Sequence, residues 1–485
     1  MVSVLLKGYN FSLDIYELLK VYFPYEEIIE IDNQKVSHRG YFISINLESI
    51  DDKLYVITSV YYNEKFLKGS KENINDIDIR RNKEKSIRIG IKKSIFNLLI
   101  DLTDRKLPWG ILTGIRPVKI VHELMKKNTA KSDIFKILTN EYKLNIDKAN
   151  LIMNVAQKQM DYIYPINKDK YSLYVGIPFC PTRCSYCSFP TMALNKYVDE
   201  YIEKLIYEII SIKDVMHNKS INTVYIGGGT PTSIPTGGLE RIIKTIYNSF
   251  GEKNIKEFTV EAGRPDTIDL EVLEMLKRQN IGRISINPQT MNDETLKKIG
   301  RNHTTNDILN AYKMAKEIGI DTINMDLIVG LPGEGVIEIK NTLNLLERLN
   351  PDNVTVHTLS VKKGSDIENH IEKFDIKGQD VIEKMLFEAS TFAKKMNLEP
   401  YYLYRQKHIL GNYENIGYAK KDKECLYNIS IMEEKETIVA AGLGAVTKIY
   451  YPDEDRLERI PNFKDLINYF SRIDELIDKK RKLLK

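Results

Sequence analysis

Short apolar runs alternate with longer helical stretches between residues 165 and 395, and this alternation constrains the fold more than any other feature of the 485-residue chain. Six runs are candidate strands: Leu173–Ile177, Thr223–Ile226, Glu257–Glu261, Arg283–Ile286, Ile323–Val329 and Asn353–His357. Helical patterns lie between them, as in Lys196–Asp214, Leu239–Phe250, Leu270–Gln279 and Asn306–Ile318. Repeated βα units form a parallel sheet, and six strands are too few for the complete eight-unit barrel. The pattern therefore predicts an α/β fold with an open, partial (β/α)6 barrel.

Regions with a different pattern flank this part of the chain. Residues 1–165 are expected to form an N-terminal α+β accessory domain. Its half-buried strands are predicted at Val2–Gly8, Tyr41–Leu47 and Lys53–Tyr62, and its helix at Ser86–Leu102. The stretch Leu107–Pro117 holds the only tryptophan, and it is either an ordered linker packed on the barrel mouth or a plain connector. Residues 166–395 are assigned to the barrel. Residues 396–485 are assigned to a C-terminal extension on the substrate side.

Three of the four cysteines lie within one short segment, Cys180-Pro-Thr-Arg-Cys184-Ser-Tyr-Cys187, directly after the first barrel strand. Three thiolates on one tight loop can bind three corners of a [4Fe–4S] cluster, which leaves the fourth iron open to a small molecule. A zinc site is the first alternative, but zinc sites usually have four ligands in paired spacings, and no second pair or nearby histidine is present. A disulfide is the second, but three cysteines cannot pair among themselves and Cys425 is far away in sequence.

Other chemically distinctive residues also fall at the ends of predicted strands. The turn Gly227–Pro231 follows the second strand, Glu261 closes the third, Gln289 follows the fourth, and Asp326 lies in the fifth. In α/β barrels the loops at the carboxyl ends of the strands build the active site. Glycines allow a backbone to approach a ligand closely, and an acid inside a barrel mouth needs a hydroxyl or ammonium partner. These positions predict a single site next to the cysteines.

The CxxxCxxC spacing after an apolar strand resembles the signature of the radical S-adenosylmethionine (SAM) superfamily. The resemblance implies a cluster held by Cys180, Cys184 and Cys187, with the amino and carboxylate groups of SAM on the open iron. Reductive cleavage of SAM then yields a 5′-deoxyadenosyl radical, and the protein binds, orients and shields the reactants.

The order of further motifs narrows the resemblance. Tyr174-x-x-Ile-Pro-Phe-Cys180, Gly227–Thr232, Glu261, Ser285-x-x-x-Gln289, Arg301 and Asp326-Leu-x-x-Gly-Leu-Pro332 are similar to motifs of the oxygen-independent coproporphyrinogen III dehydrogenases. The long N-terminal extension with its LPWGILTGIRP stretch is similar to the HemZ-type branch of that family. The similarity covers residues 165–360 well and the C-terminal region loosely.

This resemblance implies an enzyme that converts coproporphyrinogen III to protoporphyrinogen IX in porphyrin and haem biosynthesis. It implies two SAM molecules and a reductant such as flavodoxin or ferredoxin. Tyr174, Glu261 and Asp326 are expected to contact the SAM on the cluster or its neighbours. The remaining expected SAM contacts are Tyr186, Gly228, Gly229, Thr230, Gln289 and Arg301.

Two departures from the dehydrogenase pattern favour alternatives. Phe189 stands where those enzymes have a fourth cysteine, and Gly176 stands where they have histidine. Haem-chaperone relatives share the phenylalanine, yet their C-terminal His-Asn-x-x-Tyr-Trp motif has only Tyr427–Met432 as its counterpart here. The alternatives are a haem-trafficking protein and a radical SAM enzyme that acts on another tetrapyrrole.

A substrate with several propionates should meet cations and aromatic rings. The candidate cations are Lys362, Lys363, Arg405 and Lys407, each of which is otherwise a surface charge. Tyr401, Tyr402 and Tyr404 either stack on a macrocycle or fill a core. Cys425 is expected to be a buried apolar thiol.

The bulk composition excludes several classes of function. The net charge of +4 is too small to indicate nucleic-acid binding by itself. The sequence contains no signal peptide and no 18-residue apolar run, so a cytoplasmic protein without a membrane span is predicted.

Overall fold

A computed structural model describes residues 1–10, 13–24, 26–32, 39–74, 83–103, 105–114, 116–194, 196–362, 364–370, 373–406 and 409–484. These residues form two compact units, one of residues 1–156 with 411–413 and the other of residues 157–410 with 414–485. The three-part division at residues 165 and 395 stays a prediction.

The first unit is built on a five-stranded sheet. Its strands are β1 (Val2–Lys7), β2 (Ile28–Glu30), β3 (Tyr41–Ile50), β4 (Lys53–Tyr62) and β5 (Lys65–Asn73), in the spatial order β2-β1-β3-β4-β5. Its helices are α1 (Leu13–Tyr22), α2 (Lys83–Leu102), α3 (Val118–Lys126), α4 (Lys131–Lys136) and the start of α5 (Ile146–Ile163), with a π-helical turn at Ile137–Glu141. The three strands and the helix predicted for this region are confirmed.

The tryptophan-containing stretch is folded into the first unit and is not a plain connector. Trp109 is fully buried. The amide of Ile111 donates to the carbonyl of Tyr142, and the amide of Asn145 donates to the carbonyl of Pro108. Within this stretch, Ile115 lies outside the described residues.

The second unit contains the predicted barrel. Six neighbouring parallel strands follow one another in chain order: β6 (Lys170–Ile177), β7 (Ser220–Gly228), β8 (Glu257–Gly263), β9 (Arg283–Ile286), β10 (Thr322–Val329) and β11 (Asn353–Thr358). The helices that connect them are α6 (Val198–Val215), α7 (Thr236–Phe250), α8 (Leu270–Arg278), α9 (Asp293–Lys298), α10 (Thr305–Ile318) and α11 (Val336–Leu349). The partial (β/α)6 barrel is therefore confirmed.

Local sequence signals fix the bounds of α10. Thr304 and Asp307 form a capping box at its start, which satisfies amides that have no partner inside the helix. Gly319 ends the helix in the left-handed conformation, with φ of +82°.

The remaining segments extend the barrel sheet at both edges. Next to β11 lie the antiparallel strands β12 (Glu399–Tyr404) and β13 (Asn415–Ala419), and next to β6 lie β14 (Thr437–Ala441), β15 (Val446–Tyr451) and β16 (Arg456–Pro461). The later helices are α12 (Asp366–Asn369), α13 (Gln379–Lys395), α14 (Leu426–Glu433), α15 (Leu466–Ser471) and α16 (Ile473–Leu483). These strands cover the edges that an open barrel would otherwise leave unpaired.

Within the part of the chain that the structure describes, no helix has the length and apolarity needed to cross a membrane.

Candidate active site

A cavity of about 340 Å³ lies among the carboxyl ends of the barrel strands and the loops that follow them. This volume is within the usual range for small-molecule sites. The structure brings together every predicted site residue in its wall except Tyr174: Cys180, Cys184, Cys187, Tyr186, Gly228, Gly229, Thr230, Glu261, Gln289, Arg301 and Asp326.

Tyr174 lies just behind the cavity wall. Its ring stacks on the rings of Tyr225 and Tyr427, with centroids 6.3 and 6.2 Å apart. A β-carbon at Gly228 would lie 3.4 Å from the Tyr174 hydroxyl, so the glycine separates this tyrosine from the cavity.

The three predicted cluster ligands are free, partly exposed cysteines on one ordered loop. The amide of Cys180 donates to the carbonyl of Met192, and the amide of Cys187 donates to the carbonyl of Cys184. These backbone bonds fix the loop while leaving the thiols directed at the cavity.

Arg264 fastens the cysteine loop to the end of β8. Its guanidinium forms a two-point pair with Asp266, at 3.0 and 2.8 Å. It also donates to the Thr182 hydroxyl at 2.8 Å and lies 3.9 Å from the Cys184 sulfur. A hydrogen bond to a ligand sulfur adjusts the potential of an iron–sulfur cluster, so Arg264 is placed to act on one.

The glycine turn after β7 lies directly under the cysteine loop. Gly228 has φ of +112°, a conformation that side-chain-bearing residues rarely adopt. A β-carbon at Gly229 would lie 2.6 Å from the carbonyl oxygen of Phe179 and 3.0 Å from the sulfur of Cys180. The close approach that the glycine triplet predicts is therefore present.

Two carboxylates face the same cavity. Burial, with a contribution from the nearby Asp326 carboxylate, raises the pKa of Glu261 to about 8, although the Gly228 amide and the Tyr225 hydroxyl oppose the shift. Burial also disfavours the charge on Asp326, but hydrogen-bonding neighbours outweigh it and lower the pKa of that residue. The pair therefore combines a protonated acid with a carboxylate near neutral pH.

The neighbours of Asp326 form a polar chain along the cavity wall. Asn324 Nδ2 donates to Asp326 Oδ1 at 2.7 Å, and Thr355 Oγ1 donates to Asn324 Oδ1 at 3.2 Å. His357 Nε2 lies 3.8 Å from Asp326 Oδ2, and its Nδ1 lies 3.3 Å from the Tyr404 hydroxyl. This chain positions the carboxylate and stabilises its charge.

Arg301 and Gln289 are held by the backbone around them. Arg301 donates to the carbonyl of Asn287 at 2.6 Å and to the Tyr186 hydroxyl at 3.2 Å. Gln289 has φ of +66°, and its backbone amide donates to the backbone carbonyl of Asp326. An unfavourable backbone conformation in a non-glycine residue is typical of functional sites.

Comparisons with known proteins identify the family of this chain. A family model described as the radical SAM superfamily matches residues 174–346. The oxygen-independent coproporphyrinogen-III oxidase-like protein HemZ of Bacillus subtilis is 40% identical over 82% of this chain and 81% of its own length. The chain belongs to the HemZ-type branch of the radical SAM superfamily.

Two further relatives extend the comparison. The haem chaperone HemW of Bacillus subtilis is 31% identical over 56% of this chain and 69% of its own length. The solved structure of Escherichia coli coproporphyrinogen III oxidase (HemN), titled a radical SAM enzyme, has a TM-score of 0.53 at 24% identity and covers 66% of this chain and 72% of that one. The similarity to HemN concerns the fold alone.

Membership of the radical SAM superfamily implies a [4Fe–4S] cluster and SAM, and the residues present fit both. A cluster distributes its thiolate ligands over separate irons. Three free cysteines on one loop at the cavity wall would supply those thiolates.

Several polar residues that line this cavity lie outside the predicted motifs. Arg264 follows the end of β8, and the others are Thr259 on β8, Asn324 on β10, and Thr355 and His357 on β11. Side chains two residues apart on a strand share one face, so the spacing from Glu261 and Asp326 was an available signal for Thr259 and Asn324. No predicted site residue lies on β11, so Thr355 and His357 had no such signal.

The substrate candidates divide into three groups. Lys362, Tyr401, Tyr402 and Tyr404 line the cavity, and Tyr401 and Tyr402 also belong to the buried core. Arg405 is buried outside the cavity lining, next to the carboxylate of Glu414. Lys363 and Lys407 lie outside the described residues. Cys425 is buried as predicted, but its surroundings are not apolar: its thiol donates to a carboxylate oxygen of Glu257 at 3.3 Å, and it lines the cavity.

Proposed function

We propose that this protein is a radical SAM oxidoreductase that decarboxylates coproporphyrinogen III to protoporphyrinogen IX without oxygen, in porphyrin and haem biosynthesis. The observation that carries the proposal is the cavity, which combines the three free thiols of the CxxxCxxC loop, a fourth thiol at Cys425, two acidic side chains and a tyrosine-rich wall. Each propionate that reacts would give up a hydrogen atom to the radical that SAM supplies, one electron to an external one-electron acceptor, and CO₂, and would become a vinyl group. The 40% identity to HemZ supports the same conclusion.

The cluster ligands in this proposal are Cys180, Cys184 and Cys187. The SAM contacts are Tyr174, Tyr186, Gly228, Gly229, Thr230, Glu261, Gln289, Arg301 and Asp326. When bound, the cluster and SAM supply electron-transfer and hydrogen-abstraction chemistry.

The binding roles follow from the groups that each residue offers. The carbonyls of the glycine turn accept from the amino group of SAM beside the cluster. Asp326 would accept from an ammonium or ribose hydroxyl group, and Glu261 would do so once its proton is released. Arg301 offers a planar pair of donors to a carboxylate. Two SAM molecules, a flavodoxin or ferredoxin donor and a cytoplasmic location complete the proposal.

A haem-trafficking role is the second candidate. The identity to HemW and the phenylalanine at position 189 favour it. The absence of histidine from the sequence Tyr427–Met432 argues against the chaperone's haem-binding motif. A radical SAM reaction on another tetrapyrrole is the third candidate.

Anaerobic incubation of reconstituted protein with SAM, reductant and coproporphyrinogen III tests the proposal. We expect protoporphyrin after oxidation of the product. Haem binding together with SAM cleavage that yields no tetrapyrrole product would favour the trafficking role. Conversion of a different tetrapyrrole alone would favour the third candidate.

The ligand assignment has a matched pair of variants. Cys184→Ser is expected to abolish both the brown cluster absorbance and SAM cleavage. Cys425→Ser removes a thiol that lies outside the CxxxCxxC loop, so its iron and sulfide content should stay normal. A normal cluster in Cys184→Ser would refute the assignment.

A further inference from the structure

The cavity wall has a marked excess of positive charge. Of the described residues that line it, five are lysine or arginine and two are acidic. Neighbouring carboxylates pair with Arg264 and Arg283. The carbonyl of Asn287 and the hydroxyl of Tyr186 accept hydrogen bonds from Arg301. The remaining two cations are Lys362 and Arg183, and neither forms an ion pair with a carboxylate of the described residues.

These two cations lie where the cavity opens to solvent. Phe189, beside them in the lining, is 58% exposed, and the Lys362 ammonium lies 5.6 Å from the centre of its ring. Contact with an exposed aromatic ring stabilises a cation only weakly. Apart from the Cys187 thiolate, whose charge acts on it, no anionic group of the described residues partners this ammonium.

Hydrogen bonds between two loops fix the position of the pair. Arg183, in the cysteine loop, donates to the carbonyl of Gly364 at 3.0 Å. The amide of Ile367 donates to the carbonyl of Ser185 at 3.1 Å. The loop that carries Lys362 is thus attached to the cysteine loop, and the ammonium is held beside the predicted cluster site.

We propose that Lys362, assisted by Arg183, binds a carboxylate of the substrate, with the exposed ring of Phe189 against the edge of its macrocycle. This inference rests on the proposed function, in which the carboxylate is a propionate of coproporphyrinogen III. It assigns a role to the phenylalanine that replaces the fourth cysteine of the dehydrogenases. Lys362 is then a specificity residue that recognises the acid group.

Equilibrium binding of coproporphyrin III to the reconstituted protein, followed by quenching of porphyrin fluorescence, tests the inference. Lys362→Met should weaken binding about tenfold or more, the usual size for a lost charge-assisted hydrogen bond. Lys362→Arg should retain most of the affinity. Lys313→Met, on the solvent face of α10 with a 75% exposed side chain, is the matched control and should bind like the parent.

Turnover provides a second measurement that a folding defect would not reproduce. In Lys362→Met we expect a raised KM for coproporphyrinogen III with kcat, iron content and sulfide content near the parent values. Parent-like binding by Lys362→Met would overturn the inference while leaving the proposed function intact. Failure of the parent protein to bind any coproporphyrin would overturn the proposed function and this inference together.

Discussion

Glu261 and Asp326 share one cavity, yet their surroundings move their pKa values in opposite directions. Asp326 receives a hydrogen bond from Asn324 and lies near His357, so its charge is stabilised. Glu261 has fewer donors, and burial dominates. A cationic ligand placed between the two acids would favour ionisation of Glu261 and release its proton.

The raised pKa of Glu261 predicts a pH-dependent stability of the ligand-free protein. The folded state keeps the proton up to about pH 8, whereas the unfolded chain loses it near pH 4.5. Stability should therefore fall as the pH rises between these values. Glu261→Gln cannot titrate, so its stability relative to the parent should increase over this interval.

The effect can be measured by thermal unfolding of the apoprotein between pH 5 and pH 8.5. A pKa change of one unit is worth about 1.4 kcal/mol, but water in the cavity reduces the cost of ionising Glu261. We therefore expect the stability of Glu261→Gln relative to the parent to rise by about 1–2 kcal/mol over this interval. Glu274→Gln, at an exposed position of α8, should track the parent at every pH. Identical pH profiles for Glu261→Gln and the parent would contradict the prediction.

At the scale of secondary-structure elements, the strands and the cysteine loop were predictable because their signals are local. Apolar runs gave the six barrel strands, and the residues at their ends gave most of the cavity wall. The contact of Arg264 with the cysteine loop was not predictable, because it joins segments separated by 80 residues. The edge strands β12–β16 were not predicted either, because their apolar runs do not alternate regularly with helical stretches.

The β7 turn provides a test of how one element supports another. An alanine at position 229 would place a β-carbon against the Phe179 carbonyl and the Cys180 sulfur, and a contact of 2.6 Å with backbone forces a shift. Gly229→Ala should therefore reconstitute with clearly less iron and sulfide per chain, while its circular dichroism stays that of a folded protein. Gly237→Ala, in α7, has no atom within 4 Å of the new β-carbon and serves as the control. Equal cluster content in the two variants would show that the turn does not support the cysteine loop.

Across the whole of the second unit, the last helix is joined to the first barrel helix by a buried ion pair. Glu208 of α6 and Lys480 of α16 are 0% and 1% exposed. Glu208 also accepts hydrogen bonds from the Asn462 amide group, the Tyr469 hydroxyl and the Gly442 amide, at 2.7–2.9 Å. This group of residues around Glu208 was not predictable from the sequence, because a lysine in a charged terminal helix has the pattern of a solvated residue.

Hydrogen bonds also connect the residues around Glu208 to β6, the strand that leads into the cysteine loop. The Tyr201 hydroxyl donates to the carbonyl of Gly176 in β6 and accepts from the amide of Leu443. The ring of Tyr201 packs against that of Tyr469, with centroids 5.5 Å apart and the ring planes tilted by 34°. The C-terminal helix is thus linked, through Glu208 and the two tyrosines, to the first barrel strand.

Lys480→Met is therefore expected to destabilise the protein strongly, because it leaves the Glu208 carboxylate buried without its cation. Removal of one partner of a buried pair typically costs roughly 3–5 kcal/mol. Arg481→Met, one residue further along the same helix and 47% exposed, should change stability by less than about 1 kcal/mol. Thermal unfolding of both variants measures the difference, and the double variant Glu208→Gln/Lys480→Met should recover part of the loss because no buried charge remains. A Lys480→Met protein as stable as Arg481→Met would mean that the pair does not hold the terminal helix in place.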